Sequence, residues 1–157
     1  MIIKNILDED FSNYKVCSMF IGFPHCSFKC EKECGIKMCQ NSTLVNSPDI
    51  AVSAKDVVER YRANPLSSAV VLGGLEPFDD FNQMLSLIHE FRKYTDDMIV
   101  IYTGYNKEEL ADKLHHLCWY KNIIIKYGRF VPNQEKHFDE LLGVYLASPN
   151  QYAEVLS

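Results

Sequence analysis

Four of the six cysteines lie close together, at Cys26, Cys30, Cys34 and Cys39. Thiolate sulfur is a preferred ligand for zinc and for the irons of iron–sulfur clusters. Structural zinc sites commonly use cysteine pairs about two to four residues apart, joined by a longer spacer. Four thiolates in this segment fit that pattern loosely. The spacing therefore indicates a metal centre, with zinc and unligated thiols as the alternatives to an iron–sulfur cluster.

The overall composition is that of an ordinary globular chain, with 157 residues, 47% hydrophobic and 24% charged. We expect one domain covering residues 1–157. A net charge of −5 argues against a nucleic-acid partner, which usually requires a basic face. No apolar run reaches the roughly 20 residues of a membrane span, and residues 1–10 lack the pattern of a signal peptide. These features predict a cytoplasmic protein without membrane contact, in which disulfides are disfavoured.

Strand and helix patterns alternate along the chain, and this alternation predicts how the cysteines are positioned. The predicted strands are residues 15–23, 67–72, 98–102 and 122–126, with a last apolar stretch at 141–147 interpreted as a fifth strand. The predicted helices are residues 53–62, 80–94 and 106–117. The alternation predicts an α/β fold with an open parallel sheet and right-handed crossovers. The cysteines then fall in a long loop, residues 24–47, after the first strand.

Ligands in such folds bind at the carboxyl ends of the strands. Besides the cysteine segment, those ends carry three motifs: Gly73-Gly74-Leu75-Glu76-Pro77, Tyr102-Thr103-Gly104-Tyr105 and Tyr127-Gly128-Arg129-Phe130. We expect all of them at one edge of the sheet. Cysteines placed beside the first strand of a sheet favour an open cluster site over a detached zinc knuckle.

Together these motifs resemble those of the radical S-adenosylmethionine enzymes. The resemblance rests on Cys26-x3-Cys30, a third cysteine followed by Gln-Asn, and Gly-Gly-x-Glu-Pro after the next strand. With the later Tyr-Thr-Gly-Tyr, Gly-Arg-Phe and Ser-Pro-Asn-Gln, the chain is similar to the anaerobic ribonucleotide reductase activating proteins. The similarity runs from about Ser18 to Tyr152.

Two positions depart from the family pattern. The family spacing places the third cysteine at position 33, which is Glu33 here, so the candidates are Cys34 and Cys39. Cys39 is preferred, because the Gln-Asn that follows it is similar to the aromatic-Asn pair that ends the family motif. The inserted Leu75 also moves the acid of the Gly-Gly motif one residue further along.

The resemblance implies a partial (β/α) barrel, a [4Fe–4S] cluster and S-adenosylmethionine as cofactors. It assigns the cluster to Cys26, Cys30 and Cys39, which leaves one iron open for S-adenosylmethionine. The residues assigned to S-adenosylmethionine are Gly73, Gly74, Glu76, Tyr102, Thr103 and Gly104. Reductive cleavage then yields a 5′-deoxyadenosyl radical, and no side chain has to act as a catalytic acid or base.

The resemblance also implies partners. The radical takes a hydrogen atom from a glycine of the large subunit of anaerobic ribonucleotide reductase, and the electron comes from a donor such as flavodoxin. An activase of another glycyl-radical enzyme and a zinc-stabilised interaction module without catalysis are the alternative functions.

Several other residues carry simpler expectations. His115 and His116 are expected at the surface, because adjacent helical residues point apart. Cys17 and Cys118 are interpreted as small core residues. For Arg129, a contact with cofactor or partner and a solvated side chain are both open.

Overall fold

The computed structural model describes residues 1–157, which form ten β-strands and five α-helices. The strands are β1 (Ile2–Ile3), β2 (Asn5–Asp10), β3 (Ser18–Phe23), β4 (Ile50–Ala51), β5 (Ala69–Gly74), β6 (Met98–Tyr102), β7 (Ile123–Tyr127), β8 (His137–Asp139), β9 (Val144–Leu146) and β10 (Tyr152–Val155). The helices are α1 (Lys29–Cys34), α2 (Ser42–Val45), α3 (Ala54–Ala63), α4 (Phe81–Arg92) and α5 (Ala111–Leu117). Short 3₁₀ turns at Pro77–Asp80 and Lys107–Leu110 precede α4 and α5.

The main sheet has six strands in the order β10-β7-β6-β5-β3-β2. The four central strands β3, β5, β6 and β7 are parallel, as predicted. The prediction of a wholly parallel sheet is wrong at both edges, because β2 and β10 pair antiparallel. The short link from β2 to β3 cannot form a crossover, which requires a dozen or more residues. The sheet stays open, since its terminal strands are not paired with each other.

The predicted fifth strand at residues 141–147 is also wrong in extent and in partner. Only Val144–Leu146 is extended, and it pairs antiparallel with β8 in a separate two-stranded hairpin. Gly143 just before it has φ +71°, a left-handed conformation that interrupts a strand. The apolar residues at 141 and 142 therefore precede β9, and Leu142 is buried in the core as part of a turn.

The two faces of the central sheet are buried against different partners. Helices α3, α4 and α5 cover one face, and their contacts include Leu87 and Leu114. On the other face, Val71, Val100 and Ile124 form a smaller apolar cluster with Leu142 and Leu146. Because both faces are buried, the sequences of these strands are nearly continuous apolar runs.

The predicted helix starts at Ser53 and Asn106 are confirmed. The Ser53 hydroxyl accepts a hydrogen bond from the Asp56 amide at 3.0 Å, and Asn106 forms a capping box with Glu109. Residues 24–47, predicted as a loop, contain the short helices α1 and α2. No helix combines the length and the apolar character that crossing a membrane requires.

Of the residues expected to be simple core or surface positions, the two histidines are placed as predicted and the two cysteines are not. His115 and His116 are exposed, as predicted. Cys118 is exposed and Cys17 is only partly buried, so the interpretation of both as core residues is wrong. Cys118 lies just beyond the C-terminus of α5, where the apolar face that packs on the sheet has ended.

Candidate functional site

One cleft at the carboxyl ends of the central strands gathers the predicted site residues, except Gly73. Its lining includes Cys26, Cys30, Cys39, Gly74, Glu76, Tyr102, Thr103 and Gly104. Because parallel strands end at the same edge of the sheet, the loops that follow them meet there. The expectation that these motifs lie together is confirmed.

The cysteines of the segment are not equivalent. Cys26, Cys30 and Cys39 are partly buried, whereas Cys34 is exposed and lies outside the cleft lining. Burial raises the pKa of Cys26 to about 12 and raises the pKa of Cys30 in the same direction. The Phe28 amide donates to Cys26 Sγ at 3.2 Å and opposes the shift. At neutral pH these two thiols are therefore protonated when no metal is bound. Metal binding would release their protons.

The residues between Cys30 and Cys39 fold as a helical turn followed by a reversal. Helix α1 ends at Cys34. The next residue, Gly35, has φ +72° and donates its amide to the Glu31 carbonyl oxygen at 2.8 Å. A left-handed glycine is a common helix terminator, because it lacks the Cβ that makes this conformation costly. The chain then returns along α1, where the amides of Met38 and Cys39 both donate to Glu31 Oε1 at 3.0 Å.

The segment after Cys39 is attached to the end of β5. Asn41 donates from Nδ2 to the Gly74 carbonyl oxygen at 2.6 Å. Gly74 has φ +90°, and a Cβ at this position would lie 2.7 Å from the Gly22 Cα. Only glycine fits here, because β3 and β5 approach closely at the point where Asn41 binds.

The start of the cysteine segment is attached to the 3₁₀ turn after β5. Asp79 accepts from the Ser27 amide at 2.6 Å and from the Tyr105 hydroxyl at 2.5 Å. His25 Nδ1 lies 2.7 Å from Asp80. These contacts hold the chain on either side of Cys26 against the neighbouring strand ends.

Glu76 joins the ends of β5 and β6. It is buried, and its carboxylate accepts from the Phe78 amide at 3.1 Å, the Thr103 hydroxyl at 2.8 Å and the Gly104 amide at 2.9 Å. Burial raises the pKa of Glu76 to about 7, although these donors favour the charged form. Both carboxylate oxygens are engaged by the protein, so Glu76 organises the cleft wall.

Gly73 lies in an adjoining cleft instead. That second cleft shares Asn41, Gly74, Tyr102 and Lys126 with the first. A Cβ on Gly73 would lie 2.9 Å from the Phe20 ring. The glycine therefore leaves room for a neighbouring aromatic side chain at the floor of the second cleft.

Lys126 is a site residue that the sequence reasoning did not single out. It is 6% exposed at the end of β7, and its Nζ donates to the Gly128 carbonyl oxygen at 3.1 Å. No carboxylate pairs with it, and burial lowers its pKa to about 8, while Glu76 and Cys30 oppose the shift. The available signal was a lone lysine at the carboxyl end of an otherwise apolar strand.

Arg129 is buried and paired, so the solvated alternative for this side chain is wrong. Its Nη1 and Nη2 donate to the two Glu109 oxygens at 2.7 and 2.8 Å. Its Nε lies 2.7 Å from Glu33 Oε1, without the alignment of a hydrogen bond. Asn150 and Gln151 donate to the Arg129 and Gly128 carbonyl oxygens at 2.8 and 3.3 Å. The loop after β7 is thereby fixed against α1 and the chain near β10.

The donor set of this cleft suits an iron–sulfur cluster. Three partly buried thiols line it, and thiolate is the usual ligand of cluster iron. In this structure no three His, Cys, Asp or Glu side chains lie close enough together to hold one ion.

Comparison with known proteins agrees with this reading of the donors. The family model described as a 4Fe-4S single cluster domain matches residues 15–149. No curated protein and no solved structure matches the chain. The matched region begins just before β3 and includes all four clustered cysteines, the strand-end motifs and the loop after β7. The chain belongs to the 4Fe-4S single cluster domain family and is an iron–sulfur protein.

Proposed function

We propose that this chain is a radical S-adenosylmethionine enzyme that generates a glycyl radical on anaerobic ribonucleotide reductase. The observation that carries the proposal is the convergence of Cys26, Cys30 and Cys39 with Gly74 and Gly104 on one cleft. Three cysteines, rather than four, leave one iron of a cubane cluster without a protein ligand.

In this proposal the cluster ligands are Cys26, Cys30 and Cys39, and Cys34 stays outside. The bound cluster would supply one electron for reductive cleavage of S-adenosylmethionine at its S–C5′ bond. The protein contributes position and exclusion of water, as cofactor-dependent enzymes generally do. Partial burial of the three thiols is consistent with that role.

The cleft also offers groups that suit the amino-acid end of S-adenosylmethionine. Gly74 and Gly104 expose backbone next to the cysteines. Lys126 is a buried cation that lacks an anionic partner and lines both clefts. A carboxylate bound at Lys126 would offset the cost of burying its charge. Tyr102 and Thr103 also line this cleft, and the nucleoside would bind beside them.

The second cleft supports a place for a protein substrate beside S-adenosylmethionine. It lies on the sheet face opposite α3, α4 and α5, next to β9. The proposal includes a partial (β/α) barrel whose inner face is this side of the parallel strands. It further includes the large reductase subunit as substrate and a flavodoxin-like electron donor.

The decisive experiment is anaerobic reconstitution with iron and sulfide, followed by an assay for 5′-deoxyadenosine and methionine. We expect a brown protein whose absorption near ~400 nm bleaches on reduction, because cluster iron is redox-active and Zn²⁺ is not. The Cys34→Ala variant serves as the matched control for Cys26→Ala, Cys30→Ala and Cys39→Ala. Only the last three are expected to lose cleavage. Cleavage that survives in Cys39→Ala and disappears in Cys34→Ala would show that the ligand set is wrong.

The target is tested by adding the large subunit of an anaerobic ribonucleotide reductase. The expected result is an electron paramagnetic resonance signal of a glycyl radical on that subunit. Cleavage of S-adenosylmethionine without this signal would indicate another glycyl-radical target. A colourless protein that binds zinc alone would contradict the whole proposal.

A further inference from the structure

The spacer between Cys30 and Cys39 has one side chain that bridges its two halves. Glu31 follows Cys30 at the start of α1, and its Oε1 accepts from the amides of Met38 and Cys39, each at 3.0 Å. The carboxylate therefore joins the outgoing helical turn to the returning segment, residues 36–39. Glu31 thus links the two cysteines: it is bonded to Cys30 through the backbone and accepts a hydrogen bond from the Cys39 amide.

Glu31 has no competing partner in the structure. No lysine or arginine pairs with it, although Lys29 pairs with Glu109, and Glu33 with Arg129. Its side chain is partly buried at the cleft wall. A carboxylate that faces only backbone amides stabilises the backbone conformation that presents those amides.

That conformation determines where Cys39 lies. The reversal at Gly35 turns the chain back, but a Cβ there would meet nothing within 4 Å, so packing does not hold the turn. Residues 35–37 are exposed. The returning segment is fixed instead by Glu31, which binds the amides of Met38 and Cys39, and by the Asn41–Gly74 hydrogen bond after Cys39.

We infer that Glu31 is a positioning residue for the third cluster ligand. By binding the amides of Met38 and Cys39, it brings a cysteine nine positions after Cys30 into the same cleft. This inference rests on the proposed cluster ligation by Cys26, Cys30 and Cys39. It explains how the wide spacing between Cys30 and Cys39 is accommodated: the helical turn after Cys30 is closed by hydrogen bonds to its own Glu31.

The test compares Glu31→Ala and Glu31→Gln with Lys32→Ala as the matched control. Glutamine keeps an oxygen that can accept both amides, alanine removes it, and Lys32 is an exposed neighbour on the same helix. The first readout is hydrogen exchange in the metal-free protein. The amides of Met38 and Cys39 are expected to exchange at least about tenfold faster in Glu31→Ala only. Protection in β5 and β6 should stay unchanged and shows that the fold is intact.

The second readout is iron bound per chain after anaerobic reconstitution, together with the electron paramagnetic resonance spectrum of the reduced protein. Glu31→Ala is expected to resemble Cys39→Ala in both, while Glu31→Gln and Lys32→Ala resemble the wild type. Equal loading and an identical spectrum in Glu31→Ala would overturn the inference. The inference would also be overturned if Glu31→Gln lost as much iron as Glu31→Ala. In that case the charge of residue 31, rather than its hydrogen bonds, would determine cluster loading.

The two readouts separate this inference from the proposed function. If the wild type takes up no cluster, the proposed function fails, and with it the role given to Glu31 in cluster ligation. If the wild type loads a cluster but does not cleave S-adenosylmethionine, the proposed function fails while the loading comparison still decides the role of Glu31.

Discussion

The side-chain amide of Asn41 donates a hydrogen bond to the Gly74 carbonyl oxygen at 2.6 Å. It joins the end of the cysteine segment to the end of β5, across 33 positions of sequence. The two residues belong to two of the motifs that carry the sequence resemblance, Cys-Gln-Asn and Gly-Gly-x-Glu-Pro. Their contact joins both motifs at the lining of the same cleft.

Replacing Asn41 by alanine should detach the segment after Cys39. Losing this hydrogen bond is expected to cost about 1 kcal/mol of unfolding free energy and to lower the iron bound after reconstitution. Asn46→Ala is the control, because Asn46 donates only to Ser42 within its own turn. Denaturant unfolding and iron analysis measure the two effects. Identical iron content in both variants would contradict the role of the Asn41 contact.

Alanine should lower stability at Gly74 and lower ligand affinity at Gly104. Gly74→Ala places a Cβ 2.7 Å from the Gly22 backbone at φ +90°, so we expect a loss of about 2 kcal/mol or more in unfolding free energy. At Gly104 the Cβ would lie 3.5 Å from Cys30 Sγ and 3.6 Å from Glu76, which is ordinary contact. Gly104→Ala should therefore keep wild-type stability and bind S-adenosylmethionine more weakly. Denaturant titration and equilibrium binding measure these outcomes; similar stability of the two variants would contradict the strain at Gly74.

Lys126→Met should raise stability and reduce binding together. The variant removes a buried charge that has no carboxylate partner and keeps an unbranched side chain as far as Cε, so stability should rise by about 1 kcal/mol. Binding of S-adenosylmethionine should weaken about 10- to 100-fold, the effect of a lost hydrogen bond to a charged group. Decarboxylated S-adenosylmethionine is the control ligand and should bind both proteins alike. A similar loss for both ligands would contradict a carboxylate contact at Lys126.

The buried Glu76 should make stability fall as the pH rises. Its folded-state pKa of about 7 lies above the ordinary value of 4.5, so its contribution is complete below pH 4.5 and is lost as the pH passes about 7. The full loss amounts to about 3 kcal/mol, at about 1.4 kcal/mol per pKa unit. In Glu76→Gln the amide stays neutral, so this loss should be absent, although Gln cannot accept from all three donors. Urea unfolding of both metal-free proteins at pH 5 and pH 8 measures the difference; parallel pH profiles would contradict it.

The central elements could be predicted because their signals are local. The strands β3, β5, β6 and β7 show as apolar runs, and α3 and α5 are preceded by capping residues in the sequence. The edge strands β2 and β10 were missed. The sequence of β2, Asn-Ile-Leu-Asp-Glu-Asp, is polar, and it becomes a strand because the exposed edge of β3 supplies backbone partners.

The same division applies to the site. Strand-end motifs could be assigned to one cleft because the topology of a parallel sheet brings such ends together. The role of Glu76 as a link between strands and the pairing of Arg129 with Glu109 could not be predicted. Both depend on partners more than 15 positions away in the chain.

By itself, the sequence determined the donor chemistry, the α/β alternation and the edge of the sheet where ligands would bind. Residue type and local periodicity are sufficient for those conclusions. Only the tertiary structure decided that Cys39 enters the cleft while Cys34 faces solvent, and that Lys126 is a buried cation between two clefts. The physical reason is that a side chain's direction in an irregular segment follows from its turns and distant hydrogen bonds. Here these are the reversal at Gly35 and the bond from Asn41 to β5.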